Sequence, residues 1–146
     1  MSELHLGDKN ITETIPATVC DLKNLTFLEM NFNHIPGGFP KVLYSCTKLQ
    51  HLDLSQNFFF GPIPDDIDKL SGLRYINLGA NNFTGNIPPQ MANLTGLQTL
   101  FLYQNQFNGT LPKEISKLSN LEELGLAINE FVPSERIANS VVYCIC

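Results

Sequence analysis

The chain has 146 residues, 43% of them apolar, with a formal net charge of −5 and an isoelectric point near 5.0. That is enough apolar content for one continuous core. With arginine only at Arg74 and Arg136, no basic patch is available to neutralise nucleic-acid phosphates. No stretch approaches the ~20 apolar residues of a membrane span.

Taken in order, residues 1–24 are a damaged copy of the unit repeated downstream. Leu4, Leu6, Ile11, Ile15, Pro16, Val19 and Leu22 stand where later units repeat, but Lys9 replaces an asparagine and Glu13 a glycine. Asn10, one position on, is a candidate substitute for the missing asparagine. The regular pattern starts at Leu25 and returns every 24 residues, as Leu25, Leu28, Met30, Asn33, then Leu49, Leu52, Leu54, Asn57, then Leu73, Ile76, Leu78, Asn81, then Leu97, Leu100, Leu102, Asn105. Phe59, Phe83, Phe107 and Phe131 recur behind the asparagines, as do Gly61, Gly85 and Gly109. The last unit keeps Leu121, Leu124, Leu126 and Asn129, and the pattern breaks after Pro133. A period in this range with this leucine spacing marks a leucine-rich repeat.

Each part of the unit has a physical reason. In LxxLxL the leucines alternate with polar neighbours at the two-residue period of a short strand. The asparagines are placed to bond backbone of their own coil and the next, satisfying buried turns. Proline after Ile63, Ile87 and Leu111 sets an extended entry to a short helical turn, where Asp65 and Asp66 suit a helix start better than a metal site.

The expected fold is therefore an α/β solenoid of about six 24-residue repeats, with a parallel sheet on the concave face and short helical turns on the convex face. Residues 1–24 are expected to act as an N-terminal cap, 25–134 to form the repeats, and 135–146 to be a divergent tail. Stability in such a stack is roughly a sum over units and their interfaces. Uncovered ends or the VVYCIC tail are candidate sites of self-association, and Val142 and Ile145 keep register as a candidate improvised cap.

The four cysteines do not read as a disulfide framework. Cys46 stands where other units place leucine and reads as a small core residue. Cys20 falls at a mixed position, and Cys144 and Cys146 could join other chains or Cys20.

The segments GPIPDDIDKLSG, GNIPPQMANLTG and GTLPKEISKLSN resemble the plant-specific leucine-rich repeat from Leu4 to about Pro133. YSCTKLQHLDLSQN and LFLYQNQFNGTLPKEISKLSNLEEL are similar to ectodomains of HAESA-like receptor kinases. The resemblance implies a right-handed superhelix with a second small strand at the Gly-x-Ile-Pro step. It also implies protein or peptide partners: a receptor kinase, a co-receptor or a secreted peptide. The family's paired-cysteine cap, membrane helix and kinase have no counterpart here, which reads as a shortened ectodomain able to act as a decoy or regulator. Alternatives are an inhibitor of cell-wall hydrolases of the polygalacturonase-inhibiting type, a structural role, or a decayed fragment without a selected partner. The family is extracellular or at the plasma membrane, whereas MSELHLGDKN lacks the form of a signal peptide, which leaves a cytoplasmic location open.

Sequons at Asn10, Asn24, Asn82, Asn93 and Asn108 are candidate N-glycosylation sites in keeping with secreted ancestry. No nucleophile motif, cofactor loop or metal-ligand cluster is visible, and His5, His34 and His51 read as lying on different faces or turns, so catalysis is not expected. The candidate partner-binding residues are the outward strand positions Phe27, Glu29, His51, Asp53, Tyr75, Asn77, Phe101 and Tyr103. Acids are expected toward the N-terminal half and an aromatic cluster of Tyr75, Phe101 and Tyr103 toward the C-terminal half. Stacking of these aromatics on one another to stabilise the sheet is the competing explanation. Phe58 and Phe60, with polar counterparts in the next two units, mark a candidate lateral contact.

Overall fold

The computed structural model describes residues 1–132 and the strand Tyr143–Cys144. In chain order the strands are β1 (Glu3–His5), β2 (Phe27–Glu29), β3 (Pro36–Gly37), β4 (His51–Asp53), β5 (Phe58–Gly61), β6 (Tyr75–Asn77), β7 (Asn82–Gly85), β8 (Thr99–Phe101), β9 (Gln106–Gly109), β10 (Glu123–Gly125), β11 (Glu130–Phe131) and β12 (Tyr143–Cys144). They form two sheets. The first runs β1-β2-β4-β6-β8-β10-β12 and the second β11-β9-β7-β5-β3.

All pairs are parallel, and in the main sheet Phe27, His51, Tyr75 and Thr99 lie side by side in register. The repeat length thus puts equivalent side chains into columns. The chain is an α/β solenoid with its parallel sheet on the concave face. The opposite side consists of short 3-10 turns, such as Lys41–Ser45, Pro89–Asn93 and Lys113–Lys117.

The leucines of each unit form one core. Leu28, Leu52, Ile76 and Leu100 are fully enclosed. Behind them Phe59, Phe83, Phe107 and Phe131 stack at 6.0–6.1 Å with planes within 10° of parallel. The second strand ends at glycine, two positions before the Ile-Pro or Leu-Pro pair: Gly61, Gly85 and Gly109 take φ of 79–81°, a region closed to most side chains. The residue before each asparagine makes the same left-handed turn without being glycine, at Phe32, Gln56, Ala80, Gln104 and Ile128.

The asparagines bond backwards. Asn81 Nδ2 donates to Leu54 O of the preceding coil and to Leu78 O of its own, while Oδ1 accepts the Phe59 N–H at 3.1 Å. The expected link to the following coil is therefore corrected to the preceding one, because the side chain sits beneath the turn it has just closed. Asn33 completes the series by accepting Lys9 N–H and Ile11 N–H. Asn10 does not replace the missing member. It is exposed, at φ 55°.

Cys20 and Cys46 form a disulfide, with Cα atoms 4.7 Å apart. Both are buried, so Cys46 does fill a core position. The reading that the cysteines do not make a disulfide framework is corrected, because stacking the first two turns brings residues 26 apart in sequence face to face. Asp66 also departs from expectation. It precedes the turn Ile67–Lys69 without capping it, and instead accepts Tyr44 Oη–H at 2.8 Å and pairs with Lys41 and Lys69. The tail's candidate cap contacts at Val142 and Ile145, and the pairing of Cys144 and Cys146, lie outside the described residues.

Candidate binding surface

The first column of the main sheet carries rings on neighbouring strands, and parallel strands lie ≈ 4.8 Å apart, close to the thickness at which rings can stack. Phe27 and His51 have centroids 4.0 Å apart with planes at 13°, and His51 and Tyr75 are 4.0 Å apart at 6°. His5 extends the row at 4.7 Å from Phe27. At β8 the first column holds Thr99, which is buried, and the aromatic moves to the second column. Phe101 meets Tyr75 edge-on at 6.0 Å and Tyr103 at 6.0 Å.

The result is a continuous track of six rings crossing five strands. Tyr75, Phe101 and Tyr103 were readable as a cluster. That Phe27 and His51 belong to the same track was not, and aromatic character is not confined to the C-terminal half. His5 and His51, which lie on different turns as expected, are joined on this face through Phe27. Reading the 24-residue columns for stackable rings of any kind, imidazole included, would have found it.

Glycines give the track room. A Cβ on Gly79 would collide with the Tyr103 ring, so that ring rests on bare backbone. A Cβ on Gly125 would lie 2.9 Å from Phe101. Asn77 Nδ2 reaches both Tyr75 Oη and Tyr103 Oη at 3.5 Å, while its Oδ1 accepts the Gly79 N–H at 2.9 Å.

Not every outward residue is available. Asp53 and Asn77 are buried, at 8% and 5% exposure. Asp53 Oδ1 accepts from the Ser55 N–H and hydroxyl, so these polar groups brace the sheet beneath the rings. Phe27, Glu29, His51, Tyr75, Phe101 and Tyr103 are half-buried. At the N-terminal end His5 hydrogen-bonds Glu29 at 3.0 Å and Glu3 at 3.3 Å, which raises its pKa. Burial lowers the pKa of His51 against the pull of Asp53, and burial raises that of Tyr75.

The second sheet presents Phe58 and Phe60 outward, 52% and 56% exposed, on either side of the enclosed Phe59. His34 packs 5.4 Å from Phe58. Phe32, not singled out from the sequence, is 54% exposed. All five sequon asparagines are exposed, whereas the ladder asparagines Asn33, Asn57, Asn81 and Asn105 are buried. Among the described residues no three His, Cys, Asp or Glu side chains are grouped to hold a metal, and no helix is long and apolar enough to cross a membrane.

Leucine-rich-repeat family models match residues 48–70 and 71–131. The crystal structure of the Arabidopsis receptor kinase HAESA with the peptide hormone IDA and the co-receptor SERK1 superposes with a TM-score of 0.86 at 30% identity, over 90% of this chain and 22% of that one. The plant peptide hormone receptor RGFR1 with RGF2 gives 0.79 at 35%, over 88% of this chain and 20% of that one. The ectodomain of the Arabidopsis thaliana receptor kinase SOBIR1 gives 0.80 at 31%, over 88% of this chain and 70% of that one. The chain thus spans about a fifth of the HAESA and RGFR1 chains it matches. No curated protein matches it in sequence.

Proposed function

We propose, from the premise that this chain belongs to the leucine-rich repeat family in the form found in plant receptor-kinase ectodomains, that its concave sheet binds an extended peptide or a partner segment. The observation that carries this reading is the ring track from His5 to Tyr103. Half-exposed aromatics on a rigid sheet bury much area on binding at small entropic cost. Face-to-face stacking joins Phe27, His51 and Tyr75, and all of these rings remain only half-buried, which leaves surface for a ligand.

Charge narrows the ligand class. Glu3, Glu29 and Glu123 lie on the same sheet as the rings, in a chain of net charge −5. A peptide alternating apolar and basic side chains suits this lining through cation–π and carboxylate contacts. Two neighbours are themselves receptors bound to peptide hormones, which supports the same class. In this reading the module regulates signalling by holding a ligand or co-receptor away from a longer receptor.

The Cys20–Cys46 disulfide supports an oxidising, secreted setting over a cytoplasmic one. It also supports the role of residues 1–24 as a cap, since it ties that unit to the first regular coil. The test is affinity. A peptide enriched from a random display library on the immobilised chain should lose at least tenfold in Kd against the triple variant Tyr75→Ala, Phe101→Ala, Tyr103→Ala, as expected for truncated aromatic anchors. Unchanged affinity would move the site elsewhere.

A further inference from the structure

We propose that Asn82 carries an N-linked glycan whose innermost sugar lies over the ring of Phe60. The exposed phenylalanine face of the second sheet is then covered by the chain's own carbohydrate and not by a protein partner. This rests on the secreted setting proposed above but not on what the concave sheet binds.

Strand register brings the two residues together. In the second sheet Phe60 is the direct partner of Asn82, and Gly61 of Phe83. Phe59 and Phe83 point into the core, so Phe58, Phe60 and Asn82 share the outward face. Directly opposed residues have Cβ atoms about 5 Å apart, which places a sugar on Asn82 Nδ2 within van der Waals reach of the Phe60 ring. The apolar C–H face of a pyranose packs against the negative face of an aromatic ring. A shallow cavity of about 210 Å³, lined by Asn57, Phe58, Ala80, Asn81, Asn82 and Gln104, opens on the Phe58 side of Asn82.

Asn82 is set apart from the other sequons. Asn24 accepts from Lys48, and Asn93 donates to Asp68. Asn108 is opposed by Glu130, and Asn10 lies outside both sheets. The Asn82 amide makes no hydrogen bond among the described residues, and its strand partner Phe60 is an exposed ring. Phe32, Phe58 and Phe60 are large apolar side chains left exposed, and a glycan on Asn82 accounts for Phe60, its strand partner.

The modification joins Asn82 Nδ2 to the anomeric carbon of a polyprenyl-diphosphate-linked oligosaccharide. The N–C bond forms as the bond from that carbon to the diphosphate oxygen breaks. The lipid diphosphate leaves with the bonding pair, and one amide proton passes to a base of the transferase. Nothing is oxidised or reduced.

The test expresses the full chain behind a heterologous signal peptide in a eukaryotic secretory host, maps occupancy by glycopeptide mass spectrometry and measures Tm. Asn82 should be occupied. Losing the sequon through Asn82→Gln or Thr84→Ala should lower Tm by about 3 °C in the Phe60 background and not in Phe60→Ala. The same variants made in bacteria, without sugar, should show no such difference. An equal loss in both backgrounds, or occupancy elsewhere with Asn82 bare, overturns the proposal alone. Five bare sequons would overturn it together with the secreted reading.

Discussion

The imidazole of His51 lies face to face with the phenol ring of Tyr75, centroids 4.0 Å apart and planes 6° from parallel. Its other face is covered by Phe27. Two aromatic faces strip water from the imidazole, and burial outweighs Asp53 in setting its pKa below the ordinary 6.5. His51 therefore stays neutral where an exposed histidine begins to charge.

Stability acquires a definite pH dependence from this. The unfolded chain binds a proton at His51 more readily than the folded one, so this site's contribution is present above pH 6.5 and is lost as pH falls toward its folded value. His5 has the opposite sign. Its raised pKa, from Glu29 and Glu3, gives a contribution present below 6.5 and lost as pH rises through the folded value. An NMR titration of the imidazole protons should place His51 below 6.5 and His5 above it. A shared midpoint would contradict the stacked geometry.

Removing one ladder asparagine should be costly. Asn81→Ala leaves the Phe59 N–H and the carbonyls of Leu54, Leu78 and Gly79 without this partner. Each buried group so orphaned costs about 1–3 kcal/mol. Chemical denaturation should show a loss of at least ~3 kcal/mol. In protein made in bacteria, without sugar, Asn82→Ala on the exposed neighbour should change stability by less than about 0.5 kcal/mol.

The disulfide should contribute through the unfolded chain. Closing a loop across a separation of 26 residues is worth about 3.5 kcal/mol in the chain-entropy account. Cys20→Ala with Cys46→Ala should lose a comparable amount in urea unfolding and favour early fraying of the first coil. Equal stability would mean that the bond does not form in solution.

Gly79→Ala separates binding from folding. Its new methyl would collide with the Tyr103 ring, a movable side-chain end, so the sheet should remain stable to within about 1 kcal/mol. Peptide affinity should fall by about tenfold as Tyr103 is displaced.

Much of the fold was legible because each repeat position has a single physical task. Leu52 and Ile76 had to be inside, and Phe59 had to stack on Phe83, once the 24-residue register was recognised. The surface was legible only in part. Composition marks Tyr75, Phe101 and Tyr103 as candidate anchors, but that His51 bridges Phe27 and Tyr75 depends on ring rotamers. Asp53 and Asn77 looked available from their outward positions, and their bonds to Ser55 and Gly79 turn them under their neighbours. The Cys20–Cys46 bond was hidden because its partners belong to different coils and meet only after stacking.

The most direct test of the concave-face account is to follow aromatic side-chain resonances as a display-selected peptide is added. The account predicts saturable shifts at Phe27, His51, Tyr75, Phe101 and Tyr103, with Phe58 and Phe60 unmoved. Shifts confined to Phe58 and Phe60, with the concave rings silent, would contradict it.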